Sequence, residues 1–521
     1  MFAEKLKIGQ VKKGLFLALV FLALFCLYTK TAYHFPSNSD EANLPLQSID
    51  IKDGNIFLRG WAFPPDHFYT IDILFDLTAL SLGATPRQAM HIVPAVIYAA
   101  ILMISCYLVY SMRMGARGNW FVGTLVTFIS IAFPVQLMAN FAASSPAGHL
   151  GTILFTLIAI AFLFQAMQKR GVSIIFFCFF TILANIGDPL SFYILNLPLM
   201  LLGAFILIIN TDGANRNFSK KIIVISLVSA LGAEVFNHIY FRVASASAIP
   251  LFVELKDLGH NFYLYIASIF EIFGASFFGN HPASFSAIAE LTHFAVLLFS
   301  IFIAFVVAKN LSKNINSPIA YVHYLEFYLI SSVIFISFAF LFSNLPVDLW
   351  TSRYLLSIPI FLGILAGIYV SQHYISKNSL FRTMLFMILS IYMVDFFVLE
   401  QNLRKSSQPL DPVIQYLKSH NLREGFATYW SGSITTVLSN GQIQSRAVLY
   451  TGKQLSPFHW VSKSSWYRST HAVFFILDQS SKNFGVDPDV VIKEFGTPAK
   501  QKKIGDYTIF IWNHEISLHG E

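Results

Sequence analysis

Eleven apolar runs of about twenty residues recur along this chain, at roughly 14–31, 88–112, 119–138, 149–168, 172–187, 189–209, 222–243, 290–308, 321–344, 354–373 and 383–399. A helix of about twenty such residues crosses the hydrocarbon core of a bilayer. Lipid offers no hydrogen bonds, so runs of this length are confined to helices that satisfy their own backbone. Composition agrees: 55% of the 521 residues are hydrophobic and only 12% are charged, about half the charged share of a soluble domain. The 53 Phe and 22 Tyr suit lipid-facing and bundle-packing positions, and the net charge of +7 is modest; no nucleic-acid partner is implied. The chain reads as a polytopic α-helical membrane protein.

The first run follows Lys12 and Lys13, as in a signal peptide, but Tyr33-His34-Phe35-Pro36 lacks the small residues of a cleavage site. It therefore reads as an uncleaved anchor. Cys26, Cys106 and Cys178 all lie within apolar runs, without metal-type spacing, and read as small core residues.

Basic residues mark every second connection. Lys5, Lys7, Lys12 and Lys13 precede the first run; Arg113 and Arg117, Lys169 and Arg170, then Arg216, Lys220 and Lys221 follow the second, fourth and sixth. Lys309 and Lys313 follow the eighth, and Lys377 and Arg382 the tenth. Cationic loops stay on the cytoplasmic side. This places the N-terminus in the cytoplasm and the end of the chain outside the plasma (inner) membrane.

Two further apolar segments do not fit as spans. Segment 68–83 is short and carries Asp72 and Asp76, and each carboxylate at a helix centre costs about 2.5–3.5 kcal/mol on insertion scales. Segment 262–278 contains Glu271 and would break the charge alternation. Both are expected at the outer interface. Residues 1–399 then form a transmembrane domain with outer loops 32–87 and 244–289. Residues 400–521 are polar, with β-like runs "HAVFFILD" (471–478) and "YTIFIW" (507–512) and helix starts at Asp411-Pro412 and Asp487-Pro488. They predict a soluble extracytoplasmic α/β domain.

This topology gathers ionisable residues at the outer face. Asp40, Glu41, Arg59, Asp66, His67 and Asp72 belong to the first outer loop. His149 opens the fourth run in "SSPAGHLGT", Asp188 lies in the turn "NIGDPLSF", and Arg353 opens the tenth in "LWTSRYLL". Polar side chains at membrane depth are costly and usually line a cavity. Each also has a simpler role open to it. Asp188-Pro189 suits a turn, Arg353 a snorkelling anchor, and Asp40-Glu41 the positive end of a helix. His323 and Glu326, three apart on the ninth run, read as a satisfied polar pair, and Asn237 and His238 as inter-helix contacts.

A first helix, then "SNSDEANLPLQSIDIKDGNIFLRGWAFPPDHFYTIDILFDLTALSLG", then a hydrophobic bundle and an outer domain resembles the GT-C glycosyltransferases. The likeness is to the protein O-mannosyltransferase and aminoarabinose transferase branch and its bacterial relatives. It covers most of residues 10–400 by architecture and about 60 residues by motif. The Lys-Pro-Pro signature of the aminoarabinose branch is replaced here by Phe63-Pro64-Pro65. The resemblance implies a polyprenyl-phosphate-linked sugar as donor and a glycan, lipid or protein hydroxyl as acceptor. It implies Asp40 as catalytic base, with Glu41 beside it holding the acceptor or a cation. Arg353 and Arg59 would sit near the leaving phosphate. Asp66, His67, Asp72, His149 and Asp188 would line the substrate cavity. Metal dependence stays open; a divalent cation such as Mg or Mn suits acidic residues, but an adjacent pair is not a specific site. The competing readings are a transporter or flippase, or a polymerase or ligase, acting on lipid-linked glycans. Transporters usually carry internal repeats, and none is evident.

Overall fold

The computed structural model describes residues 2–112, 119–169, 171–209, 213–244, 251–313, 321–373, 379–403, 408–468, 471–479 and 484–518. Arg113, Arg117, Arg170 and Lys377 of the basic connections lie outside the described residues, as does 245–250 of the second long loop.

Among the described residues, eight helices are long and apolar enough to cross a membrane, or up to ten if each of two bent pairs is one span. The expected run 172–187 forms only Ser173–Gly187, fifteen residues, or about 22 Å at 1.5 Å per residue. Segment 68–83 supplies the ten-residue helix Asp72–Ser81, and 262–278 the fifteen-residue helix Leu258–Ile272. Neither is among the long apolar helices. Cys26 departs from its core assignment and lies exposed, while Cys106 and Cys178 are half-buried. His323 Nδ1 pairs with Glu326 at 2.7 Å, as its spacing predicts.

Proline decides where the helices depart from straight rods. The run 119–138 breaks at Pro134: Trp120–Ala132 ends and Gln136–Ala142 restarts at 88° to it. Proline lacks an N–H and clashes with the preceding turn, so the last carbonyls of the first piece lose their helical partners. Two tyrosines take them up. Tyr98 donates to Ile131 O at 2.7 Å and Tyr28 to Ala132 O at 2.9 Å, their rings meeting edge-on at 4.9 Å. Pro198 repeats the pattern. It cannot donate to Ile194, the chain widens to a π turn over Phe192–Asn196, and Tyr328 and Ser332 donate to Ile194 O at 2.7 and 3.1 Å. Such bonds hold neighbouring helices together where hydrophobic burial does not discriminate helix from lipid. Small residues do the same for Trp120–Ala132 against Ser357–His373: a Cβ on Gly123 would run into the Gly367 carbonyl.

The tenth run enters through a 3-10 turn, Leu349–Leu355, bent 42° from Ser357–His373. Asp348 caps the turn by accepting from Trp350 N at 3.0 Å. The bend is what presents Arg353 and Tyr354 sideways rather than along a helix axis.

The C-terminal region is an α/β unit. With Trp61–Ala62 as β1, its strands are β2 (Glu424–Ala427), β3 (Gln444–Tyr450), β4 (Leu455–Pro457), β5 (Ser462–Lys463), β6 (Ala472–Asp478), β7 (Lys500–Ile504) and β8 (Tyr507–Ile516). Six form one sheet in the order β4-β3-β2-β6-β8-β7, with β2 parallel to both β3 and β6. The strand-like runs 471–478 and 507–512 become β6 and part of β8. Helices start at Asp411 and Pro488, the second capped by Asp487 on Val490 N at 2.8 Å.

This unit docks on the helix Ser39–Lys52 and its neighbours. Ala42 and Met90 belong to the same apolar cluster as Val413, Leu417 and Ile434. Strand β5 pairs with β1, Trp61 opposite Lys463. Asp50 is the hub of the joint: it accepts from Lys463 at 2.7 Å, from Trp61 Nε1 at 2.7 Å and from Asn55 at 2.6 Å. Arg87 adds an ion pair to Asp411 at 2.9 Å.

Candidate active site

Helix Ser39–Lys52 starts at Asn38, whose side chain accepts from Asp40 N at 2.9 Å and Glu41 N at 3.4 Å. This cap and two acids in the first turn suit the positive end of a helix. Positions 40, 43, 44 and 47 share one helix face. Asp40, Asn43, Leu44 and Gln47 all line a cavity of about 340 Å³. Asn43 and Gln47 are almost fully buried; Asn43 faces the Tyr429 hydroxyl, and Oε1 of Gln47 has no hydrogen-bond partner among the described residues. An unpaired buried amide oxygen is costly, so this face can accept a hydrogen bond from a polar group in the cavity.

The opposite wall carries the cations. His149 ends the short helix Ser145–Gly148 in the left-handed region, φ 48° and ψ 34°, which costs about 1–3 kcal/mol for a residue with a side chain. The turn sets its ring against Asp188: Nδ1 donates to Oδ2 at 2.7 Å, and Thr152 donates to the same oxygen at 2.5 Å. Burial would drive both groups towards neutrality. Their mutual charge overcomes it, so His149 is raised and Asp188 is held down. His149 Nε2 is buried without a partner among the described residues. Arg353 lies over the Tyr354 ring at 5.1 Å, and the same ring stands 5.2 Å from His149. Among the described residues its guanidinium donates one hydrogen bond, to Tyr354 Oη at 3.3 Å. Two cationic groups with unspent donors thus meet across one tyrosine.

Asp66 and His67 also line the cavity. Burial pushes Asp66 up to about 6, against the pull of His149. His67 has a different character. Its Nδ1 accepts from Tyr69 N at 3.2 Å, so Nε2 carries the proton and bonds Asn237 Oδ1 at 3.2 Å. Burial lowers it to about 4. It is a neutral wall residue, and Asn237 makes the inter-helix contact expected of it.

Six of the nine residues singled out by sequence therefore share the cavity: Asp40, Asp66, His67, His149, Asp188 and Arg353. Three do not. Glu41 is buried behind Asp40, and burial pushes it up to about 8. Arg59 is exposed on the turn before β1, where only its backbone is held, by Asn55. Its role beside the leaving phosphate has no support in this geometry, because docking turns Trp61 inward and leaves Arg59 on the outside. Asp72 is fully buried behind the wall, and burial raises it to about 7 against the pull of Ser145 and the Gly151 backbone.

A Cβ on Gly151 would fall within the Asp72 carboxylate. Gly151→Ala is expected to cost on the order of 1–3 kcal/mol by overpacking. Thermal melts in detergent check this against Gly232→Ala, where nothing lies within 4 Å of an added Cβ. Equal melting temperatures would remove Asp72 from that contact.

Other residues at the site carried no obvious sequence signal. Tyr429 donates to Asp40 Oδ1 from 389 residues away, and Trp460 and Val461 close the wall from the same domain. The spacing of Asp40, Asn43 and Gln47 was the readable clue. An apolar side, including Ile336, Ala339, Phe340 and Leu345, completes the cavity. Among the described residues no three His, Cys, Asp or Glu side chains come together as a cation site. Asp40 and Asp66 instead share the field of Arg353.

In comparisons with known proteins, no family model matches the chain and no curated protein matches it.

Proposed function

We propose that this chain is a GT-C-type membrane glycosyltransferase that moves a sugar from a polyprenyl-phosphate donor to an acceptor hydroxyl. One observation carries the reading: a single cavity sets a half-buried carboxylate, Asp40, against two cations with unspent donors, Arg353 and His149, beside an apolar side. A base, an anion site and a greasy wall are what a lipid-linked sugar phosphate needs. The unpartnered amide oxygen of Gln47, with Asn43 beside it on the same helix face, suits sugar hydroxyls. The resemblance of residues 37–83 to the GT-C acidic loop supports the same reading.

With the eight long helices, the two bent pairs and Ser173–Gly187 each counted as a crossing, the chain passes the membrane eleven times. The basic connections then stay in the cytoplasm, and the cavity and the C-terminal domain face outward from the plasma membrane.

In the reaction the acceptor oxygen attacks the anomeric carbon, and the bond from that carbon to the phosphate oxygen breaks. Asp40 takes the acceptor's proton. Burial raises its proton affinity above that of a free carboxylate, which makes it a stronger base. Arg353 and His149 stabilise the charge that collects on the departing phosphate. Asp188 keeps His149 charged and oriented. Asp66, Asn43 and Gln47 hold the sugar. Direct displacement inverts the anomeric centre.

The protein in lipid nanodiscs is expected to release free polyprenyl phosphate from one member of a panel of polyprenyl-phosphate sugars, with inversion read by NMR. Retention excludes the one-step mechanism. Transbilayer flux in sealed vesicles without release identifies a transporter instead.

A further inference from the structure

The contact between Asp40 and the C-terminal domain is a two-ended clasp. The Tyr429 hydroxyl donates to Asp40 Oδ1, and the preceding Ser39 donates to the Tyr429 carbonyl at 2.6 Å. Adjacent residues of one helix turn therefore grip both ends of a single tyrosine. Its ring is buried, with edge contacts to Trp430 at 4.9 Å, Phe458 at 5.1 Å and Phe484 at 5.9 Å. The hydroxyl cannot swing away without unpacking that cluster. The domain that carries it is fixed to the same loop by β1–β5 pairing and the Asp50–Lys463 ion pair at 2.7 Å.

We propose that Tyr429 is a positioning residue for Asp40: its hydroxyl holds Oδ1 and leaves Oδ2 for the substrate, making the C-terminal domain an integral part of the site. A free carboxylate rotates and offers either oxygen. One bonded to a packed phenol offers one oxygen, in one plane. The clasp is read from geometry; its consequence for transfer rests on Asp40 being the base. The C-terminal domain then orients the group that would deprotonate the acceptor.

Three other groups act on Asp40. Glu41, on its own helix, lies behind it; Arg353 faces it from the Leu349–Leu355 turn, and Asp66 reaches it through that arginine. Tyr429 and Arg353 favour the charged carboxylate, and Glu41 opposes it. A hydrogen bond to an ionised group is strong enough that removing it shifts a carboxylate midpoint by about one to two pH units.

The full chain in nanodiscs is titrated by difference infrared spectroscopy, with Asp40→Asn assigning the Asp40 carboxyl band. Tyr429→Phe, which keeps the ring, is expected to move that band's midpoint upward by about one to two pH units. Ser39→Ala, which frees the other end of the clasp, moves it the same way by less. The acidic limb of kcat/KM for sugar release follows the band. A band unmoved in both variants overturns the proposal. A band that moves in a protein that turns over no sugar phosphate upholds the clasp and refutes the transferase reading instead.

Discussion

Asp40→Asn is expected to lower release of polyprenyl phosphate by about 10²–10⁴-fold, the usual contribution of a general base. Asparagine keeps the size of the side chain and a carbonyl oxygen for the Tyr429 hydroxyl. It cannot take the acceptor's proton. Donor binding should survive, because the phosphate is assigned to Arg353 and His149 on the opposite wall. Asp66 is the rival base: it lines the same cavity, and burial raises it to about 6. Asp66→Asn is therefore the paired measurement, with folding of both variants checked by melting. Wild-type turnover in Asp40→Asn beside a dead Asp66→Asn transfers the role to Asp66. Loss in Asp40→Asn with retained donor binding locates proton removal at the end of the Ser39–Lys52 helix.

Arg353→Met is expected to cost about 10²–10³-fold in kcat, as loss of one donor to a developing anion does elsewhere. The guanidinium is positioned by the 42° bend between Leu349–Leu355 and Ser357–His373 and by the Tyr354 ring beneath it. It also feels the charges of Asp40 and Asp66. Arg353→Lys keeps the charge and loses the forked geometry, so it should recover only part of the rate. Free polyprenyl phosphate should bind more weakly to both Arg353 variants and not to Asp40→Asn. That contrast separates the two walls of the cavity. Unchanged phosphate affinity in Arg353→Met would show that the anion sits elsewhere.

Sequence alone settled what depends on near neighbours. The length and polarity of the apolar runs set the long helices, because a lipid-embedded backbone must bond within its own segment. The helix start at Asp40-Glu41, the helix start at Asp487-Pro488 and the strand runs of β6 and β8 are likewise local and were legible. So was the convergence of Asp40, Asp66, His67, His149, Asp188 and Arg353, since alternating basic connections predict one shared face. The 88° break at Pro134 has a legible cause, but its angle is set by what packs against it, including the Tyr28 and Tyr98 bonds. Local pattern said nothing about the depth of Glu41 and Asp72, which sit behind the wall, or about Arg59, which stays outside it. Those outcomes turn on which side of a helix or turn meets a distant partner. Tyr429 is the clearest case. Nothing in "ATYWSG" announces a hydroxyl 389 residues from Asp40 in sequence and bonded to it in space. Periodicity and capping act over a few residues, whereas the β1–β5 pairing and the Asp50 hub that deliver Tyr429 exist only once both domains have folded against each other.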